Sequence, residues 1–524
     1  MKKRALLCYM ICMVLFFVSV MRVTTIATTD YSSVAATQNG IRLKIGYSRG
    51  TIYDRNLVRL TNSNEKIIAA VSPTPRAITA ISQVLEGDDL TEVLDRLKEK
   101  KPTLCQVPEI IECDGIICTK VFDDKNSLSN HIIGYTDTDK KGVSGLEKAY
   151  DSILYCEDDI SVFYSTDAKG KILEGIEPRL TNPNRALTHG VISTIDINLQ
   201  TIAENNAKHL EKGAVLVADA KTGKIRASVS RPSFNRDSVE IYLNSENSPL
   251  LNRTINAYNV GSVFKPCVSV AGIESNKGDF LYTCTGSCKI IDRFFKCHKL
   301  SGHGTLDLNG GLANSCNTYF YNFAFDIGGE KILNTAKKLS FGQSLKICDG
   351  IYTAKGSLPQ KEDLENIAHL ANFSIGQGDL LLSPVSILTL YCAIASNGEY
   401  YIPSIVEGTI ENGNIKEYDI GSKTKAFEED TADTLREYLK SVLEEGTGAS
   451  AKPENVTAAG KTATAQTGKF RDGKEISESW FCGFFPAEEP EYVVIVFSED
   501  DQKQSLSCGQ IFKNIADEIS LLKK

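Results

Sequence analysis

The residues best suited to carry out chemistry lie in the segment Tyr258–Lys265, where Ser262 and Lys265 stand three positions apart directly after Gly261. Residues three apart on a helix share a face, so the hydroxyl and the amine can meet at the start of a helix. A serine hydroxyl is a weak nucleophile, and an adjacent neutral amine is a base that can activate it. The same spacing also occurs at Ser63–Lys66, Ser422–Lys425 and Ser520–Lys523. Further motifs are therefore needed to single out Ser262.

Two such motifs follow Ser262 along the chain. One is the triplet Ser315-Cys316-Asn317, and the other is the segment Lys461–Gln466, which has a strand-like composition and precedes the apolar run 480–485. Each motif is weak evidence by itself. In the order Ser-x-x-Lys, Ser-x-Asn and Lys-Thr-x, they predict one site for acyl transfer through a serine.

The elements that must position these motifs follow from the hydrophobic pattern of residues 191–524. The pattern predicts helices over 197–210 and 509–522, and strands over 213–219, 224–229, 480–485 and 492–497. Because strands come first and last, the two ends can form one antiparallel sheet, with the opening helix packed against the closing helix. The predicted fold class is therefore α+β, an antiparallel sheet flanked by helices, rather than a regular βαβ series.

The N-terminus predicts a membrane anchor. Lys2, Lys3 and Arg4 precede an uninterrupted apolar run over 5–21, and the apolar stretch 23–27 can lengthen this helix while Arg22 snorkels to the surface. A cleaved signal peptide is the alternative, but no small-x-small cleavage site closes the run. Basic residues keep their side of the membrane cytoplasmic, so the remainder of the chain is expected outside the cytoplasm.

Composition and pattern limit the class of protein and the division into domains. Of the 524 residues, 42% are apolar and 24% charged, which is typical of folded domains with a large core, and a net charge of −8 argues against binding nucleic acid. A strand over 41–47, a helix over 85–101, a strand over 131–135 and a helix start near 145 indicate a mixed, mostly extended region. We therefore divide the chain into a cytoplasmic N-terminus with anchor, 1–30, a non-catalytic domain, 31–190, and a catalytic domain, 191–524.

With these motifs the chain resembles a class B penicillin-binding protein, a peptidoglycan D,D-transpeptidase, over nearly its whole length. The segments Arg49–Asn56, His131–Tyr135 and Gly145–Glu147 resemble the signature of that family's pedestal domain, and Gly376–Leu380, followed by Ser383-Pro384, resembles a segment that shapes the active site. A β-lactamase has no use for such a pedestal. The resemblance implies a penicillin-binding/serine β-lactamase-like transpeptidase domain, preceded by an elongated mixed α/β pedestal and one transmembrane helix. Residues 31–190 hold no recognisable glycosyltransferase domain, which argues against class A.

The resemblance also implies a mechanism. The substrate is a stem peptide ending in D-Ala-D-Ala, and Ser262 attacks the carbonyl of the penultimate D-Ala. Lys265 is expected to be neutral in the resting site, its pKa lowered by burial and by the second cation, Lys461. An amine from a neighbouring stem peptide then accepts the acyl group, and residual D,D-carboxypeptidase activity follows when water replaces it. β-Lactams acylate Ser262 and remain bound, and the chemistry needs no cofactor.

Other residues receive roles from the same resemblance. Ser315 relays a proton toward the leaving amine, and Asn317 holds Lys265 and the substrate amide. Lys461 and Thr462 bind the carboxylate end of the donor, while the backbone N–H of Thr464 joins that of the nucleophile in the oxyanion hole. Ala463 departs from the family, which usually has glycine there. The added methyl either narrows the site or points into a gap that tolerates it, and the second interpretation is favoured because only one carbon is added.

Two other functions compete with transpeptidation. One is a β-lactam-binding sensor or inactive scaffold, and the other is a serine β-lactamase, which predicts rapid deacylation. The pedestal-like motifs together with Ser315, Asn317 and Lys461 favour the transpeptidase. The family further implies a membrane glycosyltransferase as partner.

The cysteines open a further question, because 13 of the 15 lie outside the anchor. Some class B proteins resemble this chain in the spacing of Cys297, His303 and Cys316, and with Cys284 as fourth ligand the four residues imply a structural zinc site. A Cys284–Cys297 disulfide and reduced core cysteines are the alternatives. Metal and disulfide stay open at this point.

Overall fold

The computed structural model describes residues 2–28, 40–124, 128–167, 169–173, 175–471, 473–500 and 504–522. It divides into two compact units. The first comprises the described parts of Met1–Ser48, Asn64–Asp123 and Cys156–Arg185, and the second comprises the described parts of Arg49–Ser63, Asp124–Tyr155 and Ala186–Lys524. Residues 49–63 and 124–155, which the sequence analysis placed in the 31–190 domain, therefore pack with the catalytic unit.

The first unit begins with the helix Lys2–Thr28, in which Tyr9–Ile26 is apolar and long enough to cross a membrane. One antiparallel sheet has the strand order Gly40–Tyr47, Asp159–Ser165, Arg179–Thr181, and a second has the order Thr103–Val107, Asn64–Val71, Ile116–Asp123. The helices Pro75–Ser82 and Gly87–Lys98 bury their apolar faces with the second sheet in one core. The predicted strand over 41–47 is confirmed, and the predicted helix over 85–101 is confirmed with shorter bounds.

In the second unit, Thr51–Tyr53 pairs in parallel with Gly190–Ser193, in a four-stranded sheet with Val406–Glu411 and Asn414–Glu417. The predicted strand over 131–135 is wrong, because Asn130–Ile133 form a short helix that ends at Gly134 with φ +83°. A short apolar run has too little length for its period to separate helix from strand. Two short helices follow, Gly145–Ala149 and Asp151–Leu154.

The α+β fold is confirmed by a five-stranded antiparallel sheet built from both ends of the catalytic region. Its strands are β1 (Gly213–Asp219), β2 (Ile225–Arg231), β3 (Ala459–Arg471), β4 (Lys474–Phe485) and β5 (Tyr492–Ser498), in the spatial order β2-β1-β5-β4-β3. The opening helix α1 (Ile197–Ala207) packs against the closing helix α5 (Cys508–Leu521), and Asn206 Nδ2 donates to Glu518 Oε1 over 3.0 Å. Early and late segments therefore share one core, as the sequence predicted.

The helices that carry the predicted motifs lie between β2 and β3 in sequence. They are α2 (Lys265–Ile273), α3 (Leu308–Ala313) and α4 (Asn317–Ile327). Further helices in this part of the chain are Arg185–Thr188, Gly329–Lys338, Ile367–Ser374, Pro384–Ala395 and Glu429–Glu444. Short 3-10 helices lie at Arg236–Tyr242, Gly261–Phe264, Asp363–Glu365 and Ala449–Ala451. Small two-stranded pairs join Tyr258–Asn259 with Leu381–Leu382, Tyr282–Cys284 with Gly304–Leu306, Ser287–Ile290 with Arg293–Lys296, Lys346–Cys348 with Ile351–Tyr352, and Glu399–Tyr400 with Thr424–Lys425. Pro384–Ala395 is buried along its whole length, so it forms the centre of the core behind the sheet.

Candidate active site

The nucleophile candidate lies on a tight turn at the entrance to α2. Ser262 is half-buried in the 3-10 turn Gly261–Phe264, and the backbone N–H of Lys265 donates to its carbonyl, so the two residues are one turn apart as predicted. Pro266 follows at the start of α2, where its fixed φ suits the first helical turn. A half-buried serine therefore stands directly before the helix that carries the candidate base.

Lys265 is completely buried and is held by the second motif. Its Nζ donates to the carbonyl oxygen of Ser315 over 2.7 Å and to Asn317 Oδ1 over 2.8 Å, and it lies 3.2 Å from Ser315 Oγ. Ser315 follows α3 with a φ of +50°, a left-handed conformation that is strained for serine, and Asn317 begins α4. The junction between two helices thus presents both side chains of the Ser-x-Asn motif to the amine.

Burial sets the charge of the two lysines. It lowers the pKa of Lys265 to about 7, and burial together with the nearby charge of Lys265 holds the pKa of Lys461 well below its usual range. Burial is the cause that lowers the pKa of Lys265, against an opposing effect of Cys316 and Cys297, whereas the sequence analysis named burial and Lys461; the repulsion between the two lysines acts on Lys461. A neutral amine near pH 7 is the form that can take a proton from a serine.

The third motif lies on β3, whose alternation separates its side chains. Lys461 is fully buried and its Nζ donates to the carbonyl of Thr462 over 3.1 Å. Thr462 is half-buried and Thr464 is exposed, so the two threonines face away from the core. Thr462 Oγ1 lies 3.0 Å from Thr447 Oγ1, which gives this end of the site two adjacent hydroxyls.

Ala463 faces the nucleophile turn rather than solvent. It is 7% exposed, and a Cβ built on Gly261 would lie 3.5 Å from its methyl carbon and 3.1 Å from that of Ala465. The methyl groups fit because residue 261 is glycine, which also adopts the φ of +58° that the turn requires. This placement supports the interpretation that the site tolerates the extra methyl.

The segment near Gly376 supports the same turn. The backbone N–H of Gly261 donates to the carbonyl of Gly376 over 2.9 Å, and a Cβ on Gly376 would come within 2.0 Å of the carbonyl oxygen of Gly261. The pairing of Tyr258 with Leu382 and of Asn259 with Leu381 extends this contact. The predicted site-shaping segment therefore lies directly against the residues that precede Ser262.

The four predicted metal ligands converge beside the second motif. The Sγ atoms of Cys284, Cys297 and Cys316 and one ring nitrogen of His303 all lie within 4.8 Å of one another. Cys297 Sγ is 3.8 Å from Cys316 Sγ and 3.6 Å from His303 Nδ1. A tetrahedral zinc ion with ordinary Zn–S and Zn–N bond lengths needs ligand atoms about 3.8 and about 3.6 Å apart. The donor set and its spacing fit zinc.

The state of the ligands fits a metal as well. Cys284 and Cys297 are both free, so the alternative disulfide is not formed. The Cys316 thiol and His298 hold the pKa of Cys297 far below its usual range, which favours a thiolate, and burial lowers the pKa of His303, which favours neutral imidazole. Donation to Cys297 together with burial raises the pKa of Cys316, so this thiol must lose its proton when a metal binds. Thiolate and neutral imidazole are the forms that bind zinc. Cys316 is also the N-cap of α4, next to Ser315 and Asn317.

Sequence reasoning missed several residues that complete the site. Thr447 meets Thr462, and the side chains of Glu478 and Trp480 on β4 hold the backbone of Asn259 before the nucleophile. A Gly-Thr-Gly segment signals a turn at Thr447, and the apolar run at 480–485 signalled the strand. Neither pattern says which distant residue the side chains contact, because that depends on the tertiary fold.

With the fold and the site described, comparisons with known proteins place the chain. The family described as "Penicillin binding protein transpeptidase domain" matches residues 213–517, more than half of the chain. The chain belongs to this family of penicillin-binding protein transpeptidases, and its assignment to class B is confirmed. The matched range lies within the region 191–524 that the motifs marked as catalytic.

Individual relatives extend the likeness to most of the chain. Stage V sporulation protein D of Bacillus subtilis is 29% identical over 88% of this chain and 75% of its own length. Peptidoglycan D,D-transpeptidase MrdA of Acinetobacter baumannii is 24% identical over 94% of this chain and 84% of its own length. The crystal structure of penicillin-binding protein 3 from Mycobacterium tuberculosis complexed with aztreonam superposes with a TM-score of 0.66 at 21% identity, covering 92% of this chain and 97% of that one. The structural likeness shows the shared fold.

Proposed function

We propose that this chain is a peptidoglycan D,D-transpeptidase that cross-links stem peptides through an acyl-enzyme at Ser262 and is a target of β-lactams. The observation that carries the proposal is the hydrogen bonding of the buried Lys265 amine to Ser315 and Asn317, one turn after Ser262. These groups come from two separate segments of the chain, so their convergence is a property of the fold. The name and activity of the relative MrdA agree with this assignment.

The first half-reaction forms the acyl-enzyme. Lys265 Nζ takes the proton of Ser262 as Oγ attacks the penultimate D-Ala carbonyl, and the resulting oxyanion accepts from the backbone N–H groups of Ser262 and Thr464. Collapse of the tetrahedral intermediate breaks the peptide bond and expels the last D-Ala, whose amine receives the proton through Ser315. Deacylation repeats these steps with the amine of a second stem peptide as nucleophile.

The donor carboxylate is bound at the opposite end of the site. Thr462 and Thr447 offer adjacent hydroxyls, and the buried Lys461 amine lies on the same strand as Thr462. A substrate carboxylate that binds beside Lys461 favours the protonated amine and raises the pKa of Lys461. The bound carboxylate is then paired with a positive charge. No cofactor takes part in these steps.

The transpeptidase differs from a β-lactamase in the fate of the acyl-enzyme. We expect the purified full-length chain, labelled with fluorescent penicillin, to keep its label over hours, and to exchange the terminal D-Ala of a D-Ala-D-Ala peptide for a fluorescent D-amino acid. Loss of the label within minutes would favour the lactamase, and stable label without exchange would favour the sensor or scaffold. Hydrolysis of the peptide without exchange would identify the enzyme as a carboxypeptidase.

We further infer the setting of the enzyme. The N-terminal span, preceded by basic residues, supports a cytoplasmic N-terminus and a catalytic domain outside the cell membrane. Residues 31–190 act as a pedestal, apart from the two segments that pack with the catalytic unit. Cross-linking needs glycan strands, which supports a membrane glycosyltransferase as partner. Labelling of intact cells with a membrane-impermeant penicillin tests the orientation, and co-purified glycosyltransferase activity tests the partner.

A second proposal concerns the metal. Cys284, Cys297, His303 and Cys316 hold a structural zinc ion, which when bound supplies a cross-link between these four side chains and takes no part in acyl transfer. The residue that joins this cluster to the active site is Cys316, because its neighbours Ser315 and Asn317 both contact Lys265. We therefore expect the cluster to stabilise the second motif.

Metal removal tests this proposal. The purified chain should contain zinc in a one-to-one ratio, and chelation or Cys284→Ser should lower Tm by at least about 5 °C and slow penicillin acylation, because the second motif loses its anchor. Cys288→Ser is the matched control, since Cys288 lies nearby on the strand Ser287–Ile290 but outside the cluster. A metal-free wild type with full acylation activity, or zinc loss equal in Cys288→Ser, would contradict the assignment.

A further inference from the structure

Asn259, three residues before Ser262, has both backbone polar groups held by side chains of β4. Its N–H donates to Glu478 Oε2 over 2.8 Å, and its carbonyl accepts from Trp480 Nε1 over 2.8 Å. Residues two apart on a strand face the same side, so these two side chains reach Asn259 together. The nucleophile turn is thereby fixed to the sheet from its N-terminal side.

Small residues on β3 let these side chains reach the turn. In the strand register Glu478 lies opposite Ala465 and Trp480 lies opposite Ala463, so all four side chains share one face. Because Ala463 and Ala465 present only methyl groups beside Gly261, the longer side chains of the neighbouring strand extend to Asn259. The close contact of the turn with β3 and the hydrogen bonds from β4 therefore fix the same backbone segment before Ser262.

Aromatic packing holds the same segment. Trp480 is 1% exposed, and its ring lies 4.4 Å from the ring of Phe497, which also packs against Tyr258 at 4.3 Å. The side chain of Tyr258 and the backbone of Asn259 are therefore both fixed to the sheet. A shift of this segment would displace Ser262, since only Val260 and Gly261 lie between them.

Burial of the Glu478 carboxyl at this position lowers the stability of the fold. It is 6% exposed, and burial and the nearby Glu499 raise its pKa to about 7, against the opposing effects of the Asn259 hydrogen bonds and Lys469. Glu499 is itself paired with Arg253 over 2.6 Å, and the buried Tyr258 hydroxyl also lies near these charges. A buried carboxylate without a full counter-charge lowers stability, so a role in fixing Asn259 accounts for its presence.

We propose that Glu478, assisted by Trp480, is a positioning residue for the nucleophile, which fixes the backbone at Asn259 and thereby directs Ser262 toward Lys265. The inference rests on the proposed function, because it assigns Ser262 as the nucleophile. Among the described residues Glu478 bonds to Asn259 rather than to Ser262 or Lys265, so it acts through the backbone of the turn.

The test measures acylation of the full-length chain by fluorescent penicillin, separating the rate constant from the dissociation constant and from the labelled fraction. Assays run about two pH units above 7, where Glu478 and Lys265 are both deprotonated. We expect Glu478→Ala to slow the rate constant about tenfold, with an unchanged dissociation constant and a fully labelled protein, because a small displacement of a reacting group slows a reaction strongly. Glu478→Gln keeps an oxygen that accepts from Asn259 and should recover to within about threefold of the wild-type rate.

Two more variants complete the design. Trp480→Phe keeps an aromatic ring against Phe497 but removes the hydrogen bond to the Asn259 carbonyl. This variant should lower the acylation rate constant several-fold. If Glu478→Ala does not fold, Trp480→Phe tests the positioning role in its place. Ser477→Ala, on the same strand, is the control with wild-type rates.

Several results would overturn the positioning role. They are a wild-type rate constant in Glu478→Ala or Trp480→Phe, a smaller labelled fraction at an unchanged rate constant, and Glu478→Gln as slow as Glu478→Ala. Continued labelling of Ser262→Ala would instead refute the proposed function, so the two failures are distinguishable.

Discussion

Ser262→Ala is expected to abolish covalent labelling by fluorescent penicillin, with acylation at least about 10³-fold slower than in the wild type. The alanine removes the atom that forms the acyl bond, and the remaining groups of the site can bind the antibiotic but not react with it. Ser262 is half-buried on the turn and donates no side-chain hydrogen bond among the described residues, so the variant should fold. Tm and non-covalent binding are measured beside the labelling.

The matched controls are serines with the same sequence spacing to a lysine. Ser63→Ala and Ser422→Ala change residues that match Ser-x-x-Lys but lie far from the motif residues in sequence, and both should label at the wild-type rate. Equal labelling of Ser262→Ala and wild type would refute the assignment of the nucleophile. Loss of label in Ser63→Ala or Ser422→Ala with Ser262 intact would do the same.

Lys265→Met should slow acylation about 10²- to 10⁴-fold, the usual effect of removing a general base, while the dissociation constant of the penicillin changes little. Methionine has a similar length and fills the buried space, but it leaves Asn317 Oδ1 and the Ser315 carbonyl without their donor. Some loss of Tm is therefore expected as well. Lys277→Met, which changes a half-buried lysine beyond the end of α2 that pairs with Asp326, is the control.

The pH dependence gives a second readout for the same lysine. The pKa of Lys265 is lowered to about 7, so the neutral base predominates above that pH and is lost as pH falls through it. The wild-type acylation rate should rise as pH increases through about 7 and then level off, and this rise should be missing in Lys265→Met. A wild-type rate that is flat between about pH 6 and pH 8 would contradict a neutral Lys265 base.

Local patterns were enough to predict the elements at the two ends of the catalytic region. The strands β1, β2 and β5 and the helices α1 and α5 agree with their predicted bounds within a few residues, because alternation and helical periodicity reflect which face of each element is buried. The prediction failed at 130–133, where the apolar run is too short for its period to be read. The domain boundary at 190 rested on sequence order, whereas residues 49–63 and 124–155 pack with the later part of the chain.

The sequence by itself determined which residue types are present and in which order, and therefore the candidate nucleophile and base, the two accompanying motifs and the four candidate zinc ligands. Only the tertiary structure decided that Lys265 is buried with a lowered pKa, and that the four ligand atoms lie within 4.8 Å. It also brought Glu478 and Trp480 to Asn259, and Thr447 to Thr462. The reason is that burial and contact between distant segments depend on how the elements pack, whereas spacing along the chain constrains only near neighbours.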